Sequence, residues 1–212
     1  MHAALQSSLL DLASGEGGGF GSLATARRTV LARGAWVDVL PGWLHGSDEL
    51  FHRLVDTVPW RAERRQMYER VVDVPRLLCW YGEADMLPDP LLAEARELLN
   101  AHYRDELGEP FRTAGLCCYR DGRDSVAWHG DTIGRGGRED TMVAILSLGS
   151  PRRLLLRPRG PGAGGSLGFA LGHGDLLVMG GSCQRTWEHA IPKTARGAGP
   201  RISVQFRPRD VA

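Results

Sequence analysis

His129-Gly130-Asp131 sets an imidazole and a carboxylate two residues apart, on one face of the chain if the segment is extended. Alone the pattern says little, because His-x-Asp recurs by chance. A second histidine follows about sixty residues later, His189 in Thr186-Trp187-Glu188-His189-Ala190-Ile191-Pro192. Several expected strands lie between them, so a double-sheet roll could bring His189 opposite the first pair. Two histidines and one carboxylate leave half of an octahedron open, the arrangement iron(II) needs to take up a cosubstrate and dioxygen. A histidine in an apolar stretch is more often a satisfied core residue, so the triad needs support from elsewhere.

The last expected strand, Arg201-Ile202-Ser203-Val204-Gln205-Phe206-Arg207, alternates strictly. Ile202, Val204 and Phe206 face one way; Arg201, Ser203, Gln205 and Arg207 face the other. A strand with one side in solvent shows the same alternation. If the polar side is turned inward, its two arginines need anions, and a dicarboxylate would supply them.

Residues 111–207 resemble the AlkB family of oxidative nucleic-acid demethylases, which depend on iron(II) and 2-oxoglutarate. The resemblance rests on several motifs in order. Leu171-Gly172-His173-Gly174-Asp175-Leu176-Leu177-Val178-Met179-Gly180-Gly181 and Gln184-Arg185-Thr186-Trp187-Glu188-His189-Ala190-Ile191-Pro192-Lys193 are similar to the family around its distal iron ligand. Pro200-Arg201-Ile202-Ser203-Val204-Gln205-Phe206-Arg207 resembles its closing strand, and Tyr119-Arg120-Asp121-Gly122 its segment before the His-x-Asp. The resemblance implies iron(II) held by His129, Asp131 and His189, with 2-oxoglutarate and dioxygen as cosubstrates. It implies that Arg201 pairs with the distal carboxylate of 2-oxoglutarate, and that Tyr119, Ser203 and Arg207 complete that pocket. His173, in a Gly-flanked turn, is structural in this reading. Two positions depart from the family. Cys117 stands where an asparagine is usual, and Thr132-Ile133-Gly134 lacks the acidic residue usual just past the His-x-Asp.

The elements that must position these residues fall into two textures. From Phe111 onward, short apolar runs alternate with Gly- and Pro-rich turns: 113–119, 125–129, 141–148, 152–157, 166–171, 175–179 and 201–207. This predicts an all-β sandwich or barrel, with 161–165 as a hairpin loop. Ahead of it, 29–40 reads as a strand ending at a Pro41-Gly42 turn, 47–58 as a helix with Ser47 as N-cap, and 90–107 as the clearest helix. The expected fold class is α+β: a double-stranded β-helix (jelly-roll) core behind an N-terminal helical and mixed lid region. Residues 1–22, ending in Gly15-Glu16-Gly17-Gly18-Gly19, read as a flexible lead-in, 23–110 as the lid and its supporting helices, and 111–212 as the oxygenase core. No internal repeat is present.

The chain has 212 residues and a formal net charge of +1, so bulk charge gives no reason to expect nucleic acid. Lys193 is the only lysine, and the other 25 basic residues are arginines. A GC-rich coding sequence produces the same bias. Cys79, Cys117, Cys118 and Cys183 form no C-x-x-C pair and read as small buried hydrophobes in a reducing compartment. No apolar run approaches membrane-spanning length, and Met1–Leu10 lacks the features of a secretion signal. These features predict a cytoplasmic monomer without membrane contact.

In AlkB-like proteins the segment before the β-roll holds the nucleotide. Here Trp60, Arg61, Arg64, Arg65, Met67, Tyr68 and Arg70 precede Pro75-Arg76-Leu77-Leu78-Cys79-Trp80-Tyr81-Gly82. Aromatics interleaved with arginines suit a flipped base and its phosphates, with Arg76, Trp80 and Tyr81 as the substrate-binding candidates. A surface of solvated arginines over core aromatics would read alike. Arg135, Arg138, Arg152, Arg153, Arg157 and Arg159 could extend a phosphate track. The expected activity is oxidative demethylation of N-alkylated bases, in DNA more than RNA. The alternatives are the same chemistry on a protein, lipid or small metabolite, or a nucleic-acid-binding relative without turnover.

Overall fold

The computed structural model describes residues 18–67, 70–131, 139–160, 165–195 and 197–209, at 65–67 and 70–73 by the backbone only. The expected flexible residues 1–17 lie outside the described residues, as do Thr132-Ile133-Gly134, Arg135, Arg138, Tyr68 and most of the 161–165 loop.

Eight strands follow one another after residue 112: β7 (Thr113–Tyr119), β8 (Val126–His129), β9 (Val143–Gly149), β10 (Arg152–Pro158), β11 (Leu167–Leu171), β12 (Asp175–Gly181), β13 (Trp187–Ile191) and β14 (Arg201–Arg207). They divide between two antiparallel sheets. The smaller has the order β11-β10-β13-β8, and in the larger β12-β9-β14-β7 run side by side. The chain crosses between the sheets repeatedly, which is the double-sheet jelly roll. Val37, Leu78, Val143, Ile145, Leu177 and Met179 of the larger sheet meet Leu154, Leu156, Trp187 and Ile191 of the smaller in one apolar layer.

The front of the chain is woven into the larger sheet. β2 (Arg27–Val30) and β3 (Ala35–Leu40) join beyond β12, while β6 (Arg70–Tyr81) and β5 (Arg61–Met67) join beyond β7, giving eight strands. The segment 23–110 thus contributes sheet as well as helices. The outer face of this sheet is covered by α1 (Ser47–Thr57) and α2 (Pro90–His102). Leu50, Phe51 and Leu54 of α1 and Leu92, Ala95 and Leu99 of α2 share a second core with Leu116, Leu146, Val178, Ile202, Val204 and Phe206. Packing one apolar face against helices and the other against a second sheet explains why β9 and β7 read as near-continuous apolar runs.

Several local expectations need correction. The run 29–40 is two strands, because Arg33 (φ 65°) and Gly34 (φ 78°) turn the chain back on itself. Ser47 is the first helical residue and caps nothing; Gly46 holds the cap position in the left-handed region. The second helix stops at His102, and 103–107 continue as turns because Tyr103 is drawn inward to donate its hydroxyl to buried Asp38 at 3.0 Å. That helix begins as its sequence implies, with Asp89 accepting from the Leu91 N–H and Pro90 in the first turn. Residues 18–22 are not a free lead-in. β1 (Gly19–Phe20) pairs with β4 (Leu44–His45), and Phe20 packs on Trp43 at 4.6 Å. Segments 61–81 and 187–191 form strands where none was expected, because adjacent strands supply the pairing that local pattern did not announce. All four cysteines are buried and free, as expected. Among the described residues no helix is long and apolar enough to cross a membrane.

The two faces of β14 should respond differently to truncation. Phe206, fully buried in the helix-covered core, should cost about 3–5 kcal/mol as Phe206→Ala in urea unfolding. Ser203→Ala, on the other face, should cost about 1.5 kcal/mol or less.

Candidate metal centre and cosubstrate pocket

β13 and β8 pair so that His189 lies directly opposite His129, with a bulge toward Ile191 and Val126. The two imidazole rings are 4.2 Å apart at their centres. One ligand atom from each of His129, Asp131 and His189 lies within 4.8 Å of the others, a group that could hold a metal ion. His129 Nδ1 is 2.8 Å from the Ala127 carbonyl oxygen, which can only accept. That bond places the proton on Nδ1 and leaves the Nε2 lone pair for a ligand role.

Asp131 follows the strand and is held from two sides. Its backbone N–H donates to Gln184 Oε1 at 3.0 Å, and its Oδ2 accepts from Arg207 Nε at 2.6 Å. Gly130 between the two ligands is required by space. A Cβ there would lie 2.4 Å from Arg159 Nη2 and 2.8 Å from the Gln184 carbonyl oxygen.

The electrostatics suit a cation held by neutral imidazoles and an ionised carboxylate. Burial works to raise the Asp131 carboxyl, but Arg207, then His189 and His129, bring it down to about 2. Burial, then the neighbouring His129, pushes His189 down to about 3, and burial likewise lowers His129.

The same cavity, about 270 Å³, extends along the inner face of β14 and is lined by Tyr119, Arg201, Ser203, Gln205 and Arg207 as well as the triad. The strict alternation of this strand is realised, with its polar side turned to the interior of the roll and its apolar side to the helices. Arg201 is 1% exposed. Its Nε donates to Ser147 Oγ at 3.0 Å, while Nη1 and Nη2 are buried with no hydrogen-bonding partner. A buried guanidinium with two unmet donors calls for an anion, and the carboxylate of a dicarboxylic acid fits it. Arg201 and Arg152 flank the Tyr119 ring at 5.3 and 5.5 Å. Burial pushes the Tyr119 hydroxyl up to about 12, so it stays protonated and able to donate. At Cys117 the thiol donates to Gln205 Oε1 at 3.6 Å, and Gln205 Nε2 donates to Ser203 Oγ at 2.6 Å.

Of the substrate candidates, Arg76 and Trp80 line the cavity, and Tyr81 does not. Alternation along β6 sends Tyr81 to the opposite side of the sheet, where it packs against the helix-covered core. Trp80 lies across from Gly115 of β7, and a Cβ on Gly115 would sit 2.3 Å from its ring. Of the arginines expected to extend a phosphate track, two are engaged within the protein. Arg152 is buried, giving its hydrogens to the carbonyl oxygens of Asp121, Asp124 and Pro192, and Arg157 pairs with Glu188 over the Trp128 ring. Arg153 and Arg61 are exposed. His173 holds the fold together, accepting from the Gly149 N–H at 2.6 Å and facing Asp48 at 3.0 Å.

Three contributors have no motif of their own: Ser147, Gln184 and Gly115. Ser147 leaves a trace, being the only polar residue within the apolar run of β9.

This fold and this arrangement of side chains define an iron- and 2-oxoglutarate-type oxygenase core, and comparison with known proteins agrees. The model of the 2OG-Fe(II) oxygenase superfamily matches residues 37–207, and the chain belongs to that family. Its cofactor is therefore iron(II), with 2-oxoglutarate and dioxygen as cosubstrates. AlkB-like relatives carry the closer likeness. The alpha-ketoglutarate-dependent dioxygenase alkB homolog 3 of Bos taurus is 30% identical over 187 residues, covering 81% of this chain and 65% of its own length. The DNA oxidative demethylase ALKBH2 of Arabidopsis thaliana is 33% identical over 194 residues, covering 74% of this chain and 60% of its own length. The chain thus spans less than two thirds of either relative. Among solved structures, OsALKBH1 superposes with a TM-score of 0.58 at 14% identity over 84% of this chain and 100% of its own. A prolyl hydroxylase from Trichoplax adhaerens does so with a TM-score of 0.56 at 11% identity over 81% of this chain and 83% of its own, a likeness of fold alone.

The depressed His189 has a consequence for the metal-free protein. An imidazole that titrates near 6.5 when unfolded and near 3 when folded makes the unfolded state bind more protons between those values. Stability should be full above pH about 6.5 and fall as pH is lowered toward 3, and His189→Asn should flatten part of that slope in urea midpoints measured against pH.

Proposed function

We propose that the chain is an iron(II)- and 2-oxoglutarate-dependent dioxygenase that removes N-alkyl groups from nucleic-acid bases, in DNA more than in RNA. One observation carries the reading: the partnerless guanidinium end of Arg201 opens on the same cavity as His129, Asp131 and His189. A metal site and an anion site in one enclosed cavity are what a dicarboxylate that also ligates the metal requires. The AlkB-like relatives, one of them named a DNA oxidative demethylase, and Arg76 and Trp80 beside the cavity support the base as substrate.

In this reading His129, Asp131 and His189 hold the iron. Arg201, with Ser147 fixing its Nε, takes the distal carboxylate of 2-oxoglutarate, and Tyr119, Ser203 and Arg207 shape the rest of that pocket. Iron(II) held there would supply, with dioxygen as the oxidant, hydroxylation of the N-methyl carbon coupled to decarboxylation of 2-oxoglutarate to succinate and carbon dioxide, after which the hydroxymethylated base would lose formaldehyde to return the free base. Arg207 keeps Asp131 ionised and oriented. Trp80 offers its ring to an extruded base, and the apolar walls Ile145, Leu154 and Ile191 exclude water.

Succinate release should be stimulated by methylated single-stranded DNA and not by the same strand unmethylated. Asp131→Ala should abolish that release and weaken Mn(II) binding while retaining most affinity for the strand, which comes from phosphate contacts. Arg201→Ala should raise the 2-oxoglutarate concentration needed for half-maximal rate by about thirtyfold or more, because it removes one partner of a buried charge pair. Equal succinate release on methylated and unmethylated strands would exclude an alkylated base as substrate.

A further inference from the structure

Cys117, where this chain departs from the AlkB pattern, begins a line of side-chain hydrogen bonds along the inner wall of the cavity. Ser203 of β14 stands directly opposite Cys117 of β7 in the sheet, and Gln205 follows two residues later on the same side. All three side chains line the cavity, and all three residues are more than nine-tenths buried. None belongs to the metal group, and Arg201 is oriented without them, through Ser147.

The orientation of the Gln205 amide follows from its neighbours. One end lies 3.0 Å from the Ser203 carbonyl oxygen, which can only accept, so that end is the Nε2 amino group. The other end, Oε1, lies 3.6 Å from Cys117 Sγ and accepts from the thiol. Both contacts select the same orientation. The second Nε2 hydrogen then goes to Ser203 Oγ at 2.6 Å. A serine hydroxyl can donate or accept, and an isolated one turns either way. A dicarboxylate brings oxygens that only accept, so a hydroxyl that had given its proton to the protein would meet it with a lone pair. With Nε2 donating to it, Ser203 cannot give its proton to Gln205 and keeps it for a ligand in the cavity. Arg201, two residues earlier on the same side of β14, brings its unpartnered Nη1 and Nη2 to the same space. With the amide reversed, Oε1 would face the Ser203 carbonyl oxygen and take the Ser203 proton, and the wall would present lone pairs to an anion.

Resting on the reading of this cavity as the 2-oxoglutarate pocket, we infer that Gln205 is a positioning residue for the cosubstrate. Held at one end by the Cys117 thiol, it commits Ser203 to donate to a carboxylate oxygen of 2-oxoglutarate. The amide makes no contact of its own with the cosubstrate, since both Nε2 hydrogens are given to oxygens of Ser203. Cys117 acts one step further back, through Gln205. A thiol is a weak donor, and the Ser203 carbonyl already favours the same orientation, so Cys117 contributes less than Gln205.

Binding of 2-oxoglutarate to the Mn(II)-loaded protein, read by isothermal titration calorimetry, tests this without turnover. Gln205→Leu, which keeps the bulk and removes the amide, should weaken binding about tenfold or more, the loss of one hydrogen bond to a charged group. Ser203→Ala should do the same. The double variant should bind no more weakly than Ser203→Ala alone, because Gln205 acts only through that hydroxyl. Cys117→Ala should weaken binding about threefold, and should add nothing once Gln205→Leu is present. Mn(II) affinity should stay at the wild-type value throughout, which separates the relay from the metal group. In turnover the loss should fall on the KM for 2-oxoglutarate more than on kcat. Unchanged binding in Gln205→Leu overturns the inference. So does an equal loss from Gln205→Leu in the Ser203→Ala background, which would mean that Gln205 touches the cosubstrate directly. If Gln205→Leu melts well below the wild type, Gln205→Met, nearer in length and without the amide, is read for the same outcomes. If Arg201→Ala weakens binding while Gln205→Leu does not, only the relay is lost. If Arg201→Ala also leaves binding unchanged, the cosubstrate lies elsewhere, and the reading of this pocket falls together with the relay.

Discussion

Strand β14 runs through the middle of the larger sheet between β9 and β7, and its two sides have opposite chemistry. Ile202, Val204 and Phe206 belong to the core under the helices, while Arg201, Ser203, Gln205 and Arg207 are buried on the inside of the roll. Burying two arginines at the centre of a sandwich is unfavourable unless each finds a counter-charge. Arg207 finds one in Asp131. Arg201 finds none within the described residues, and that unmet demand is what makes the roll a binding site as well as a core. The register of β14 is therefore strongly constrained, since a slip of one residue would drive the arginines into the helix-covered core.

The metal group depends on the same strand at one remove. Arg207 aligns Asp131 and keeps it ionised, while the pairing of β13 with β8 places His189 against His129. Around these, Gln184 holds the Asp131 backbone, Gly130 lets Arg159 and the Gln184 carbonyl close in, and the Ala127 carbonyl selects the tautomer of His129. Supporting contacts of this kind orient ligands before any metal arrives, and so reduce the reorganisation that binding requires.

The front of the chain extends the sheet. Because β6 pairs with β7 on one side and β5 on the other, Arg76 and Trp80 are carried by a strand continuous with the one bearing Tyr119. Gly115 is the point of contact, leaving room for both the Trp80 ring and Arg207 Nη1. Arg76 and Trp80 thus share one continuous sheet with Tyr119 and Arg201, which favours precise placement over adaptability.

Much of this was readable from residue types and order. The alternation of 201–207, the pairing of His129 with Asp131, the distal His189 and the run of short strands after residue 111 all belong to local pattern, because a strand's period of two is written in consecutive residues. The amino acids also determined that the closing strand carries two arginines, Arg201 and Arg207, on its polar side. Tertiary structure decided what pattern cannot reach. Whether the polar side of β14 faces solvent or interior depends on a second sheet whose four strands are drawn from positions 126 to 191. Tyr81 and Trp80 are neighbours with equal chemical promise, and only the pairing of β6 onto β7 assigns Trp80 to the cavity and Tyr81 to the opposite face. Ser147, Gln184 and Gly115 gain their roles from hydrogen bonds and clearances across strands, which depend on distance in space and leave almost no mark on neighbouring residues.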